Sequence, residues 1–266
     1  MNRLSKCVFP IAGKGTRFYP VTKSIPKEML PVGRKPLIHH AIDEACDADF
    51  LDIIFITNKS KKAIQNYFTI DSSYNNEQLE ILNNLINKIN VKNIFQERML
   101  GLGHAISLSS HQIDDEPFAV ILPDDYCPNT FGVIGQLKKV YQNYPDKCIV
   151  AVEEVSSERV NQYGIVSFDK KEASKDVFQL SGLIEKPEIS IAPSNYAVIG
   201  RYIFTPEIFQ YIEKKSSTVF SEIQITTALN QLAKLGKVIG VKFKGKRFDC
   251  GNLPGYIEAN LSSTDS

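Results

Sequence analysis

Cys7-Val8-Phe9-Pro10-Ile11-Ala12 runs directly into Gly13-Lys14-Gly15-Thr16-Arg17, and the fold turns on how this junction is read. The first segment has the apolar, β-branched character of a buried strand. In open α/β sheets ligands bind beyond the carboxyl ends of strands, where glycines let backbone N–H groups approach phosphate oxygens. A dinucleotide loop requires a third glycine and an immediate helix. Here Phe18-Tyr19-Pro20 and Ser24-Ile25-Pro26 prevent a regular helix, which disfavours a nicotinamide-dependent oxidoreductase and leaves a long phosphate-type loop. Arg17, Lys23 and Lys27 lie on that loop, and three cations beside one strand end suit a polyphosphate better than a single phosphate. The alternative is an ordinary basic surface loop.

Outward from this junction the chain repeats a short β-rich run, a loop and an amphipathic helix. The spacing predicts a helix over Pro36 to Cys46 with proline first, a strand over Asp52 to Thr57, and a helical stripe at Leu79, Leu82, Leu85, Ile86 and Ile89. Further strands are expected at Lys92 to Gln96, Phe118 to Leu122 and Cys148 to Val152, with helices from about Leu102 and from Asn129 to about Tyr144. This alternation implies an α/β fold, a Rossmann-like, mostly parallel mixed sheet flanked by helices. After about residue 155 the chain becomes β-rich and more antiparallel, at Tyr163 to Phe168, Val177 to Ile184 and Tyr196 to Phe204. A last long helix is expected from Ser221 to Leu235, with Ser221 and Gln224 as a capping box and Gly236 as the stop. No Gly/Ser/Pro-rich linker divides the chain, so one domain spanning residues 1–266 is expected, about 1–155 and about 156–266 being its two parts.

The 266 residues carry 31 Lys+Arg against 30 Asp+Glu, so no bulk charge draws the molecule to nucleic acid or an anionic membrane. Any anionic ligand must be held by a local cluster. No apolar run approaches a membrane span and the N-terminal residues are polar, so a soluble cytoplasmic protein is expected. Five scattered cysteines without CxxC spacing argue against a disulfide framework or a zinc site and read as single buried thiols. The basic runs Lys59, Lys61, Lys62 and Lys242, Lys244, Lys246, Arg247 read as solvated faces.

Leu122-Pro123-Asp124-Asp125 ends a buried strand, where carboxylates are well placed for Mg²⁺; a turn cap is the duller reading, and the one that suits Asp125. Arg247-Phe248-Asp249-Cys250-Gly251-Asn252 places one acid between a β-rich run and a final helix; alone it reads as a turn or helix cap. Glu185-Lys186-Pro187 reads alone as a solvent-facing ion pair. The histidines lack metal-ligand spacing, and no Ser/His/Asp or Cys/His set supports covalent catalysis.

In order, Gly13-Lys14-Gly15-Thr16-Arg17, Pro26-Lys27-Glu28-Met29-Leu30-Pro31 and Lys35-Pro36-Leu37-Ile38 closely resemble the nucleotidyltransferases that make sugar nucleotides. Gln96 with Gly101-Leu102-Gly103-His104-Ala105, Leu122-Pro123-Asp124, Tyr163-Gly164, Glu185-Lys186-Pro187, Gly200-Arg201-Tyr202, Glu222-Ile223-Gln224 and Asp249-Cys250-Gly251 extend the resemblance over nearly the whole chain. It is strongest to the bacterial UTP:glucose-1-phosphate uridylyltransferase branch. The resemblance implies a nucleotide-binding sheet with a β-rich sugar-binding part in the C-terminal half, and Mg²⁺-dependent conversion of UTP and glucose 1-phosphate to UDP-glucose and pyrophosphate. It assigns the triphosphate to Ala12, Gly13, Gly15, Thr16, Arg17 and Lys27, and uracil to Gln96 and Gly101. The metal falls to Asp124 and Asp249, glucose hydroxyls to Gly164, Glu185 and Val198, and the sugar phosphate to Lys186. It also implies a homodimer or homotetramer. Three departures stand out: Phe95 replaces an arginine, Gly33-Arg34 a more acidic pair, and Thr227 the aspartate that commonly follows EIQLT. Thymidylyl or cytidylyl transfer, a non-catalytic homologue and a metal-dependent glycosyltransferase are the competing readings.

Overall fold

The computed structural model describes residues 4–73, 76–128, 131–172, 174–212 and 222–263. β1 (Lys6–Pro10) leads into a loop that holds single-turn 3-10 helices at Thr16–Phe18, Val21–Lys23 and Lys27–Met29. Pro20 and Pro26 stand just ahead of the second and third turns, and no α-helix forms there. β2 (Pro31–Val32) and β3 (Lys35–Pro36) make a small hairpin before α1 (Leu37–Asp47). The expected start of α1 is corrected by one residue: Pro36 is the extended N-cap, because its carbonyl side belongs to the helix while its ring side pairs in the hairpin.

β4 (Asp52–Thr57), α2 (Lys62–Tyr67), α3 (Glu77–Lys88) and β5 (Asn90–Phe95) follow, then α4 (Leu102–Ser107), α5 (Ser110–Ile113), β6 (Phe118–Ile121) and β7 (Asp125–Tyr126). α6 (Val133–Tyr141) is shorter than the expected helix, and Asn129 lies outside the described residues. The chain continues through β8 (Cys148–Glu154), β9 (Gly164–Phe168), β10 (Val177–Glu185), β11 (Tyr196–Phe204) and α7 (Ile208–Tyr211). It ends with α8 (Ile225–Lys234), β12 (Val238–Lys242), β13 (Phe248–Asp249) and α9 (Leu253–Ser263). α8 does not start with a capping box: Gln224 is its N-cap and its side chain makes no capping bond, while Ser221 lies outside the described residues. The cause is tertiary. Residues 222–224 run extended beside the loop before α4, with Ile223 N–H donating to Leu100 O (2.6 Å) and Gly103 N–H to Ile223 O (2.8 Å).

Among the described residues one mixed sheet has the order β5-β4-β1-β6-β11-β8-β12-β10-β9, with β10 and β11 antiparallel to their neighbours. β1, β4, β5 and β6 are parallel, as are β8 and β12. Alternation along these strands feeds two cores. Cys7 and Phe9 of β1, Ile53 and Phe55 of β4, and Ala119 and Ile121 of β6 pack with α1 and α6. Val8, Ile54, Ile56, Phe118 and Val120 point the other way and pack with α4 and α8. Helices therefore cover both faces, which is why the central strands read as continuous apolar runs.

The solvated-face reading fails at Lys61, which is buried and paired with buried Glu28 at 2.7 Å, and at Arg247, whose side chain is buried against Asp125 and Glu153. Cys7, Cys127, Cys148 and Cys250 are buried free thiols, and Cys46 is half-buried. No described helix is long and apolar enough to cross a membrane.

Arg201 on β11, 1% exposed, is as deeply buried as Glu28. Its guanidinium meets both Glu44 carboxylate oxygens (2.7–3.1 Å) and donates to the carbonyls of Leu122, Gly200 and Asp125 (2.8–3.0 Å). Glu44 in turn accepts the Ile134 N–H at 2.9 Å. One buried ion pair thus ties α1, α6 and β11 to the turn after β6. The approach is so close that a Cβ at Gly200 would fall 2.6 Å from Asp125 Oδ2. Glu44→Ala leaves this guanidinium buried and unpaired, so it should cost about 3–5 kcal/mol in urea unfolding. A loss below about 1 kcal/mol would show that the pair does not hold the turn.

Candidate active site

The loop after β1 folds back on itself: Thr22 Oγ1 donates to Gly15 O at 2.7 Å, and Gly15 takes φ +65° at the first 3-10 turn. Ala12 is buried, whereas Gly13, Thr16 and Arg17 are exposed at the sheet's carboxyl edge. Lys27 Nζ donates to Asp124 Oδ2 at 2.5 Å, joining this loop to the turn after β6. Burial opposes charge on both groups, but their attraction outweighs it. The Lys27 ammonium is raised above its ordinary value by Asp124 and Glu28, and the Asp124 carboxyl is lowered below 3.8 by Lys27.

Asp249 comes to the same place from β13, which pairs with β7 so that Asp249 lies opposite Asp125. Cys250 N–H donates to Asp124 O at 2.7 Å. A Cβ built on Gly251 would lie 3.1 Å from Asp124 Oδ2, 3.0 Å from Asp249 Oδ1 and 3.7 Å from an Arg17 Nη, so the two carboxylate oxygens are no more than 6.1 Å apart. Two convergent hard oxygens open to a cleft fit Mg²⁺, which binds through one or two carboxylates and leaves its other positions to phosphate and water. Asp125 has other work: it pairs with Arg247 Nη1 at 2.5 Å and accepts the Gly200 N–H at 2.7 Å. Arg247 also grips Glu153 at 2.7 Å, and Tyr163 Oη donates to Asp249 Oδ2 at 2.9 Å. The Cys250 thiol is pushed up to about 12 by burial and by Asp124, Asp125 and Asp249, which removes it as a nucleophile.

A cleft of about 1040 Å³ is lined by Arg17, Asp124, Tyr163, Lys186, Arg247 and Asp249 among others. It thus gathers four of the sequence candidates, from the β1 loop, the β6 turn, the end of β10 and β13. Gln96, Gly101, Gly164, Glu185 and Val198 are not on its lining. Glu185 and Gly164 face each other across the β10–β9 pair, and Thr226 Oγ1 donates to Glu185 Oε2 at 2.5 Å. Val198 sits on β11 where the pairing with β8 loses register. Lys186 is half exposed and takes φ +44°, a left-handed backbone that costs a lysine roughly 1–3 kcal/mol and turns the chain back, its N–H donating to Tyr163 O at 2.9 Å.

Gln96 and Gly101 form a separate group at the end of β5. Gly101 has φ +100°, and a Cβ there would meet Ile223 backbone atoms at 2.8–2.9 Å, so the Glu222-Ile223-Gln224 segment demands glycine. Gln96 Nε2 lies 2.8 Å from His104 Nδ1 and 3.4 Å from Gly101 O. Thr226, Arg201, Glu44, Glu153 and the His104 contact carried no signal in the sequence that assigned them a role. All but His104, which meets Gln96 eight positions before it, act through a partner distant in the chain.

The Lys27–Asp124 pair gives a pH signature. The folded carboxyl is lowered, so its stabilisation is complete above the ordinary 3.8 and is lost as pH falls from there through the folded value. Urea midpoints of the native chain should therefore exceed those of Asp124→Asn near pH 5, and the gap should narrow below pH 3.8. A gap that widens on acidification would contradict the pairing.

The nucleotidyl transferase family model matches residues 11–266. "UTP--glucose-1-phosphate uridylyltransferase" of Pseudomonas aeruginosa strain PAO1 is 45% identical over 96% of this chain and 94% of its own length. The Bacillus subtilis strain 168 protein of the same name is 38% identical over 98% of this chain and 91% of its own length. A solved structure of UDP-glucose pyrophosphorylase complexed with UDP-glucose superposes with a TM-score of 0.90 at 44% identity, covering 99% of each chain. The chain is a nucleotidyltransferase and belongs to the nucleotidyl transferase family.

Proposed function

We propose that this chain transfers the uridylyl group of UTP to glucose 1-phosphate, releasing pyrophosphate and forming UDP-glucose. The observation that carries the reading is the convergence of Arg17, Lys186, Asp124 and Asp249 on one cleft, with Lys27 held against Asp124. The relatives' shared activity supports the choice of substrates.

The attacking phosphate oxygen of glucose 1-phosphate is already an anion, so no general base is needed. It displaces pyrophosphate in line at the α-phosphorus of UTP. What the chain must supply is alignment and positive charge, because two polyanions repel and the transition state spreads negative charge toward the leaving group. Arg17, Lys27 and backbone N–H groups from Ala12 to Thr16 take the triphosphate, with Lys27 leaving Asp124 as substrate arrives. Lys186 takes the sugar phosphate, and its left-handed backbone directs the ammonium from the end of β10 toward the cleft. Mg²⁺ held by Asp124 and Asp249 would supply charge neutralisation at the phosphate oxygens. Gln96 and Gly101 read uracil. Gly164, Glu185 and Val198 face the glucose hydroxyls, and the Thr226 hydrogen bond fixes the Glu185 carboxylate for this task.

On this reading the chain works as one unit, residues up to about 155 serving the nucleotide and those beyond it the sugar. Cytoplasmic location and assembly as a homodimer or homotetramer are part of the same proposal.

Pyrophosphate release tests it. With glucose 1-phosphate and Mg²⁺, UTP should give far faster release than CTP or ATP, and omission of sugar phosphate or metal should stop it; release independent of sugar phosphate would sink the reading. Asp124→Asn should lower turnover by roughly 10²- to 10³-fold. Lys186→Ala should raise KM for glucose 1-phosphate much more than KM for UTP, and the reverse would move Lys186 to the triphosphate.

A further inference from the structure

We infer that His104 is a positioning residue for base selection: by accepting a hydrogen bond from Gln96 it fixes that amide with its carbonyl oxygen turned toward the pyrimidine. The inference rests on the proposed reading that Gln96 faces the base. Gln96 is buried at the end of β5, with its backbone N–H spent on Thr57 O at 2.9 Å. Its Nε2 lies 3.4 Å from the Gly101 carbonyl, an acceptor, and 2.8 Å from His104 Nδ1. A carbonyl oxygen in that position would face the Gly101 oxygen, so the amide NH₂ belongs there. It follows that His104 Nδ1 carries a lone pair and that the ring proton sits on Nε2. Among the described residues nothing donates to Gln96 Oε1, which is left as a bare acceptor.

A bare acceptor discriminates among pyrimidines. Uracil presents an N3–H donor, whereas cytosine presents an N3 lone pair that would face the Gln96 oxygen directly. Released from His104, the amide keeps only the longer 3.4 Å contact to Gly101 O, turns over more readily, and offers its NH₂ to cytosine more often. The fixed orientation therefore favours uridylyl over cytidylyl transfer, and it does not separate uracil from thymine, which shares the N3–H.

The ring must stay neutral for this. Burial pushes His104 below its ordinary 6.5. The segments packed around α4 carry Glu97, Arg98, Glu222, Lys6 of β1 and Lys234 of α8. Glu97 is paired with Lys59, Glu222 accepts from Gln224, and Lys6 is paired with Asp114 and Glu116. Burial alone shifts the ring. Once protonated, Nδ1 becomes a donor and the Gln96 contact is lost.

The test is a set of kcat and KM values for UTP and CTP between pH 5 and pH 8, read by pyrophosphate release with glucose 1-phosphate and Mg²⁺, for the native chain, His104→Ala, His104→Asn and Gln96→Ala. His104→Ala should raise KM for UTP about tenfold, the worth of one hydrogen bond, and should narrow the UTP-to-CTP ratio of kcat/KM. His104→Asn, whose Oδ1 accepts in place of Nδ1, should restore the ratio. The native chain should hold the ratio through 6.5 and lose it as pH falls through the lowered folded value of the ring, and His104→Asn should keep it. If Gln96→Ala weakens UTP but His104→Ala does not, Gln96 reads the base unaided and the inference is wrong. If Gln96→Ala changes nothing, the base-reading assignment itself falls. Equal losses for UTP and CTP in both His104 variants, with no pH effect on the ratio, would mark His104 as merely structural and overturn the inference.

Discussion

Lys27 and Asp124 are 97 residues apart in sequence, and the 2.5 Å contact between them closes the β1 loop onto the turn after β6. Without it the loop's cations and the turn's carboxylate would be separate surface features. Asp249 and Arg17 reach the same point beside Gly251, so opposite charges meet in one small volume. Each charge is tolerable there because the others are present. A substrate that brings phosphate and a divalent cation enters a site already balanced, and it exchanges partners without first having to gather them.

Around this layer lies a second set of charges that are committed to one another. Arg201 with Glu44 and Lys61 with Glu28 are buried ion pairs, and Arg247 with Asp125 and Glu153 forms a largely buried one in the cleft wall. Buried pairs contribute little net stability against a well-packed apolar alternative, yet removing one partner is expensive. Their value here is geometric. Arg201 holds the carbonyls on both sides of Asp124, and Arg247 ties Asp125 and Glu153 together beside Tyr163, which reaches Asp249. Arg201 thereby fixes the Asp124 turn, and Tyr163 gives the Asp249 carboxylate a fixed partner.

Local patterns carried the sheet. The strands at Asp52 to Thr57 and Tyr196 to Phe204 and the proline-broken loop follow from β-branching, apolar alternation and ring chemistry, all properties of neighbours in sequence. Where long-range contacts decided, local reading fell short. The start of α8 was drawn back to Ile225 because residues 222–224 are committed to the α4 loop. β12 reads in sequence only as a β-rich run before Arg247, and its place between β8 and β10 is set by pairing with strands distant in the chain. Lys61 reads as solvent-facing until the fold supplies Glu28. Lys186 precedes a proline, which biases a residue toward extended backbone, and only its pairing with Tyr163 explains φ +44°. In the site, Asp124 and Lys27 were legible as residue types at strand ends. Thr226, Tyr163 and His104 were not, because their roles consist of orienting another side chain.

The account holds that the chain supplies alignment and charge and takes no covalent part in uridylyl transfer. Cys250, the thiol nearest the carboxylates, is kept protonated by burial and by its acidic neighbours, and the cleft's described lining otherwise carries cations, carboxylates, amides, a tyrosine that donates to Asp249, and Ser156, with no histidine there to activate that hydroxyl. The most direct measurement is the exchange of labelled pyrophosphate into UTP with Mg²⁺, with and without glucose 1-phosphate. Direct transfer predicts exchange only when glucose 1-phosphate is present. Exchange in its absence would require a uridylyl group carried on the protein and would contradict the account.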